Sequence, residues 1–218
     1  MKETAGVVFS VANDNQPVAG CTISKAVYDS NGYYISHFSL AEGTSISAEN
    51  YEYHKLIITA DGSAEIFTDK ESLAEISKGE MIILPTNIPV GFKTENGCFY
   101  TEIGLRKDTV MNNVIKDGNA FALKDLLPYQ EGKIVNMDIA GNEKMKFVVM
   151  SFDEGTGLAE HATPGEALIF ALDGEGIIGY EGKEYAIKAG ENFKFAKLGK
   201  HYVKANGKFK MALLLTLD

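Results

Sequence analysis

The sequence predicts an all-β protein with little helix, in which one structural unit occurs twice. Short runs rich in β-branched and aromatic residues alternate with Asp-Gly and Glu-Gly turns roughly every ten residues, which is typical of antiparallel sheets. One fragment alone has a helical pattern, residues 122–127 before Pro128, and it is too short for more than a turn or two. Helix is therefore expected to be a minor component.

Residues of the N-terminal half recur in the C-terminal half at a constant spacing, which indicates two copies of one unit. The residues that recur 112 positions later are Phe9, Gly20, Glu42, Gly43, Thr44, Asp61 and Gly62, which match Phe121, Gly132, Glu154, Gly155, Thr156, Asp173 and Gly174. The segment 107–119 has mixed polarity and is predicted to be a linker with a short strand. We therefore predict two domains, residues 1–110 and residues 111–218.

Each predicted strand is a short run of apolar and β-branched residues bounded by glycine or charged turns. In the first unit these runs are 33–40, 55–59, 81–84 and 98–103, and in the second they are 146–152, 167–172 and 209–217. The Glu181-Gly182 pair is predicted to form a hairpin turn, because glycine readily adopts the positive backbone angles that a tight turn requires.

The composition restricts the partners and the cellular location. A formal net charge of −9 and an isoelectric point near 5.0 disfavour nucleic acid and anionic membranes, since no basic cluster offsets the acidic field. We expect small molecules or a second copy of the chain as partners. Two cysteines without metal-type spacing and no long apolar run predict a reduced, cytoplasmic, unexported protein.

The second unit resembles the cupin superfamily in the spacing of two motifs. The positions of the first motif are occupied by Gly155, His161, Thr163, Ala167 and Gly174, and those of the second by Gly190, Ala196, Leu198 and His201. One histidine is therefore retained in each motif, while Thr163 and Ala167 stand where the family has its other histidine and its glutamate. The resemblance implies a conical jelly-roll barrel with the ligand site inside it.

The same spacing applied to the first unit leaves no histidine at a motif position. Glu49 and Tyr51 stand at the histidine positions of the first motif, Lys55 at its glutamate position and Val90 at the histidine position of the second. The resemblance therefore implies a bicupin, two tandem double-stranded β-helix barrels, of which the N-terminal one lacks metal ligands and is structural.

Two interpretations of the C-terminal barrel remain open. In one, His161 and His201 hold a divalent transition metal such as Zn, Fe, Mn or Ni, with Glu166 as the third ligand. Glu166 is preferred to Glu160, which should point away from a site that contains the adjacent His161. In the other, His161, Thr163 and His201 line a metal-free pocket, where the threonine hydroxyl hydrogen-bonds a ligand.

The functional hypothesis is a protein of unassigned activity that binds a small polar molecule in the C-terminal barrel, either through a metal or without one. The alternative is a metal-dependent enzyme of the oxygenase, isomerase or decarboxylase type, an activity that many metal-bearing cupins have. The sequence contains no recognisable nucleophile or phosphate-binding motif, so catalytic residues stay unassigned. For His37 and His54 we expect structural or surface roles. A homodimer and a monomer are both compatible with the sequence.

Overall fold

The computed structural model describes residues 1–30 and 33–217, and it is almost entirely β-structure. One short 3₁₀ turn, Leu123–Asp125, lies where the sequence predicts a helical fragment. The strands in chain order are β1 (Val8–Phe9), β2 (Thr22–Ser30), β3 (Tyr33–Leu40), β4 (Ser45–Asn50), β5 (Lys55–Phe67), β6 (Ser72–Ser77), β7 (Glu80–Ile83), β8 (Pro89–Lys93), β9 (Cys98–Gly104), β10 (Val110–Met111), β11 (Ala120–Ala122), β12 (Ile134–Gly141), β13 (Met145–Phe152), β14 (Gly157–His161), β15 (Glu166–Tyr180), β16 (Lys183–Lys188), β17 (Asn192–Phe195) and β18 (His201–Thr216).

The first compact unit comprises residues 1–2, 11–109 and 113–122. Its sheet has the strand order β11-β7-β5-β9-β3-β2. In addition, β6 and β8 both pair with β5, and β4 pairs with β8. All of these pairings are antiparallel. The strand β11 follows the linker and extends the sheet beyond β7, so β7 does not form an open edge.

The second compact unit comprises residues 3–10, 110–112 and those from Leu123 onward. Its strand order is β1-β17-β15-β18-β13-β12-β10, with β16 paired to β15 and β14 paired to β18. The two short strands β1 and β10 therefore lie at the two ends of this sheet. The prediction of two tandem jelly-roll barrels is confirmed. The domain boundaries at 1–110 and 111–218 stay a prediction, since the compact units are assembled from interleaved segments.

Each unit has its own apolar core, built from side chains that alternate along the strands. Ile57 and Ile169, which occupy repeat-related positions 112 residues apart, are both fully buried, one in each core. The core of the second unit contains four aromatic rings with almost no exposed surface, those of Phe152, Phe193, Phe195 and Phe209. Aromatic side chains thus account for much of the apolar area buried in this unit.

Two glycines at equivalent positions of the repeat lie next to pairing irregularities within long strands, Gly62 in β5 and Gly174 in β15. Gly62 and Gly174 have φ angles of 72° and 68°. A Cβ atom at Gly62 would overlap the carbonyl oxygen of Gly97, and one at Gly174 would overlap the carbonyl oxygen of Lys208. The positive φ angle and the close approach of a neighbouring carbonyl oxygen thus both require glycine at these two positions, which explains why glycine recurs there in the repeat.

Replacing Gly62 or Gly174 by alanine should destabilise the fold more than the same change at Gly43. Gly43 also has a positive φ, of 68°, but open space surrounds the position of its missing Cβ. Gly43→Ala should therefore cost about 1–2 kcal/mol for left-handed backbone alone. Gly62→Ala and Gly174→Ala should each cost a further ~1–3 kcal/mol from steric overlap. Urea denaturation measures the free energy of unfolding of each variant. Equal decreases at all three positions would contradict the proposed steric overlap at Gly62 and Gly174.

Candidate functional site

Two of the predicted site residues, His161 and His201, lie side by side in the second unit. His161 ends β14, His201 begins β18, and the two residues are direct partners in the antiparallel ladder. Their ring centroids are 4.4 Å apart. His201 is buried and stacks on Phe195 at 3.9 Å, whereas His161 is exposed. The structure thus brings together the two histidines that the motif spacing selects.

Hydrogen bonds to the backbone set the tautomer of both rings. The Nδ1 atom of His161 lies 2.9 Å from the carbonyl oxygen of Ala159, and that of His201 lies 2.8 Å from the carbonyl oxygen of Gly199. Because a carbonyl only accepts, each Nδ1 carries the proton and each neutral ring keeps its lone pair on Nε2. Burial, together with the charge of His161, lowers the pKa of His201 below its ordinary value of 6.5.

The other two predicted site residues have partners elsewhere. The Thr163 hydroxyl donates to the carbonyl oxygen of Gly165 at 3.1 Å. The Glu166 carboxylate forms an ion pair with Lys194 at 2.6 Å. Burial raises the pKa of Glu166, but its hydrogen bonds and positively charged contacts, including those of Lys194, together outweigh burial, and the pKa stays below its ordinary value.

Strand alternation explains why Glu166 does not join the two histidines. Ala167 on β15 belongs to the core cluster, as do Phe193 and Phe195 on β17. Glu166 and Lys194 each lie one residue away from these positions, so their side chains lie on the opposite face of the sheet. The prediction preferred Glu166 because the preceding turn left its direction open; the structure turns that side chain away from the core.

The donor set of the second unit does not fit a transition metal. Within residues 1–30 and 33–217 there is no group of three His, Cys, Asp or Glu side chains that could hold a metal ion. Two imidazoles supply fewer ligands than either a structural tetrahedral site or a two-histidine, one-carboxylate site requires. The inward position that could supply a carboxylate is occupied by Ala167, which has no donor atom.

The first unit, in contrast, contains a cavity of 260 Å³ that is mostly apolar and has a few polar groups in its wall. Its walls come from β3, β4, β5, β8 and β9, together with Tyr51 after β4 and Leu84 after β7. They include all four residues that stand at the ligand positions of the motifs in this unit, namely Glu49, Tyr51, Lys55 and Val90. The cavity therefore lies where the motif spacing locates a site, although the residues at those positions are not metal ligands of the expected kind.

A buried ion pair lies at the cavity wall. Lys55 Nζ is 3.0 Å from Glu102 Oε1, and the two side chains are only 8% and 6% exposed. The Tyr34 hydroxyl donates to the same oxygen at 2.6 Å. Burial and the neighbouring negative charge of Glu102 raise the pKa of Tyr34 far above its ordinary value, so this tyrosine remains a donor.

Aromatic rings complete the cavity wall. Lys55 Nζ lies 3.4 Å from the centroid of the Tyr51 ring, and the Tyr51 hydroxyl donates to Glu49. Phe38 and Phe92 stack against Tyr100 at 4.8 Å and 5.3 Å. The Tyr100 hydroxyl is buried and has no hydrogen-bond partner in the described part of the chain. A buried hydroxyl that lacks a partner is costly unless something else satisfies it.

Sequence reasoning missed this constellation because it considered Lys55 and Tyr51 only as lost metal ligands. A signal was nevertheless present, since Lys55 and Glu102 are the single charged residues of the predicted strand runs 55–59 and 98–103. The other two histidines have structural contacts. The Nδ1 atom of His37 lies 3.0 Å from the Thr101 hydroxyl, and that of His54 lies 2.9 Å from the carbonyl oxygen of Leu84.

Comparison with known proteins supports the cupin superfamily. Residues 148–217 match the cupin domain family, so the match covers one domain in the second unit. A cupin 2 conserved barrel domain protein from Leptotrichia buccalis is 28% identical, with a TM-score of 0.87 over 99% of this chain and 98% of its own. No curated protein matches the sequence. None of the helices in the described part of the chain is long and apolar enough to span a membrane.

More distant solved structures share the fold alone. One is a salicylate 1,2-dioxygenase variant from Pseudoaminobacter salicylatoxidans in complex with gentisate, 10% identical over 96% of this chain and 81% of its own, with a TM-score of 0.67. Another is an oxalate decarboxylase formate complex from Lactobacillus farciminis, 12% identical over 99% of this chain and 87% of its own, with a TM-score of 0.56.

We expect the purified, tag-free protein to contain far less than stoichiometric transition metal, because the two histidines lack a third ligand. Elemental analysis of the wild type beside a His161→Ala, His201→Ala double variant measures this. The two proteins should give the same low content. Near-stoichiometric zinc, iron, manganese or nickel in the wild type that is absent from the double variant would contradict the conclusion that the two histidines do not hold a metal.

Proposed function

We propose that this protein, whose residues 148–217 match the cupin domain family, binds a small organic molecule in the cavity of its first unit without a metal. The observation that carries the proposal is the cavity of 260 Å³ lined by the Lys55–Glu102 ion pair and by Tyr100, whose buried hydroxyl has no hydrogen-bond partner among the described residues. Binding sites are typically concave and mostly apolar, with a few convergent polar groups. This cavity has that composition.

Energetic considerations support a binding role for the polar groups. An ion pair removed from water is often no more stabilising than apolar residues of similar volume would be. An unpaired buried hydroxyl costs the fold about 1–3 kcal/mol. The first unit contains both features at one cavity, so its stability alone does not explain them. A ligand that satisfies these groups on binding does.

The roles of the two units differ here from those that the sequence predicts. It retains the bicupin interpretation, in which both units are cupin barrels, and it locates the principal site in the N-terminal barrel. That barrel was expected to be structural because its motif positions carry no histidine. Glu49, Tyr51 and Lys55 instead supply a metal-free set of hydrogen-bonding and charged groups.

A second candidate site is the histidine pair of the second unit. Its support is the 4.4 Å separation of the His161 and His201 rings, each with its Nε2 lone pair available as an acceptor. Such a pair can accept hydrogen bonds from a small polar ligand. The metal-dependent enzyme of the alternative hypothesis needs more ligands than these two imidazoles supply.

A cavity-filling substitution separates the two candidates. Val90→Phe adds a ring to the cavity wall, and we expect it to abolish binding of small-molecule fragments detected by ligand-observed NMR. The His161→Ala, His201→Ala double variant should retain that binding. Circular dichroism melts verify that both variants are folded. Fragments that still bind the Val90→Phe variant but no longer bind the double variant would instead locate the binding site in the second unit.

A further inference from the structure

We infer that the ligand of the first unit is a small, uncharged ring compound that carries a hydroxyl or N–H donor. This inference rests on the proposed function, since it specifies the chemistry of a molecule bound in the same cavity. Three features of the cavity support it: the pairing of its charges, its hydrogen-bonding groups, and its flat aromatic walls.

The charges that line the cavity are already paired with one another. Lys55 is held between Glu102, at 3.0 Å, and the face of the Tyr51 ring, at 3.4 Å. A carboxylate ligand would have to compete with Glu102 for this lysine, and an ammonium ligand would have to compete with Lys55 for Glu102. A charged ligand would therefore lose its hydration without gaining an unpaired counter-charge.

The remaining charge at the cavity disfavours anions in particular. Glu49 is exposed, lines the cavity and accepts a hydrogen bond from the Tyr51 hydroxyl. The lining thus contains one lysine against two carboxylates, in a protein with a formal net charge of −9. The local and the overall fields both repel a small organic acid on its approach.

The hydrogen-bonding groups of the cavity favour a ligand that donates. Lys55 and Tyr34 both contact Oε1 of Glu102, whose carboxylate lines the cavity. An ionised carboxylate only accepts, so a ligand group that contacts this carboxylate must carry an O–H or N–H. The Tyr100 hydroxyl is unpartnered within the described residues, and it can donate to the same ligand or accept from it.

The aromatic walls favour a ring. The planes of Phe38 and Tyr100 differ by 7°, and those of Phe92 and Tyr100 by 15°, so three nearly parallel rings lie at the cavity. Flat aromatic surfaces pack well against a planar or ring-shaped ligand. The volume of 260 Å³ lies just below the ~300–1,000 Å³ usual for drug-sized ligands. A single ring with one short polar substituent is consistent with both observations.

Three probes that share a ring and differ in charge test the inference. They are benzyl alcohol, benzoate and benzylamine, titrated into the full-length protein at pH 7 with ligand-observed NMR. We expect benzyl alcohol to bind, and benzoate and benzylamine to bind at least about tenfold more weakly, since each buries an uncompensated charge. Benzoate or benzylamine binding as tightly as benzyl alcohol, with sensitivity to Val90→Phe, would overturn the inference and leave the proposed function standing.

Tyr100→Phe tests the hydrogen bond with the ring stack preserved. Loss of the hydroxyl should weaken benzyl alcohol binding about tenfold, the value of one good hydrogen bond. The melting temperature of the ligand-free variant should be unchanged or higher, because the hydroxyl has no protein partner to lose. The matched control is Tyr129→Phe in the second unit, whose hydroxyl donates to Asp173 at 2.7 Å, and which should bind the probe normally.

The outcomes of these experiments distinguish an error in the ligand class from an error in the location of the binding site. Unchanged probe binding in Tyr100→Phe, or a marked drop in its ligand-free melting temperature, would overturn the assigned role of that hydroxyl. Failure of all three probes, while other fragments still bind in a manner sensitive to Val90→Phe, would overturn the ligand class alone. Benzyl alcohol binding that Val90→Phe leaves unchanged would overturn both the ligand class and the proposed site.

Discussion

The alternation of side chains along antiparallel strands determines which residues meet inside each barrel. On β9, Tyr100 and Glu102 lie two residues apart and share one face, and both line the cavity together with Lys55 of β5. On β15, the same rule directs Ala167 into the core and turns Glu166 toward Lys194. One geometric constraint thus places Lys55, Tyr100 and Glu102 in the wall of one cavity in the first unit, and it leaves the two histidines of the second unit without a third ligand.

The Lys55–Glu102 pair is one energetic consequence of that constraint. Removal of one partner from a buried ion pair typically costs about 3–5 kcal/mol, because the other charge remains buried alone. The pair also fixes the chemistry of the cavity, since each charge is already neutralised before any ligand arrives. Tyr34 and Tyr51 reinforce this arrangement by contacting Glu102 and Lys55 respectively. Stability and ligand selectivity therefore depend on the same two side chains.

Much of the fold could be predicted from the sequence, because its signals are local and repeated. Turn glycines such as Gly62 and Gly174 recur at one spacing, and apolar runs mark the central strands. The interleaving of short segments between the units could not be predicted, since strands of two or three residues, such as β1 and β11, carry too little pattern. Their placement depends on the sheet edges that they extend.

The positions of the motif residues were easier to predict than their chemistry. Motif spacing selects His161 and His201, whose rings lie 4.4 Å apart, and it also selects Glu49, Tyr51, Lys55 and Val90, all of which line the cavity. What spacing alone cannot supply is the partner of each group. Glu102 belongs to no motif, and its contact with Lys55 arises from strand pairing between β5 and β9. The direction of Glu166 likewise depends on the turn that precedes it.

The most direct test of the central claim is an amide NMR map of the protein titrated with the fragments that bind it. If the first unit holds the ligand site, chemical-shift changes will cluster at Tyr34, Lys55, Tyr100 and Glu102. Changes that cluster at His161 and His201, with the cavity residues unperturbed, would contradict the account and assign ligand binding to the second unit.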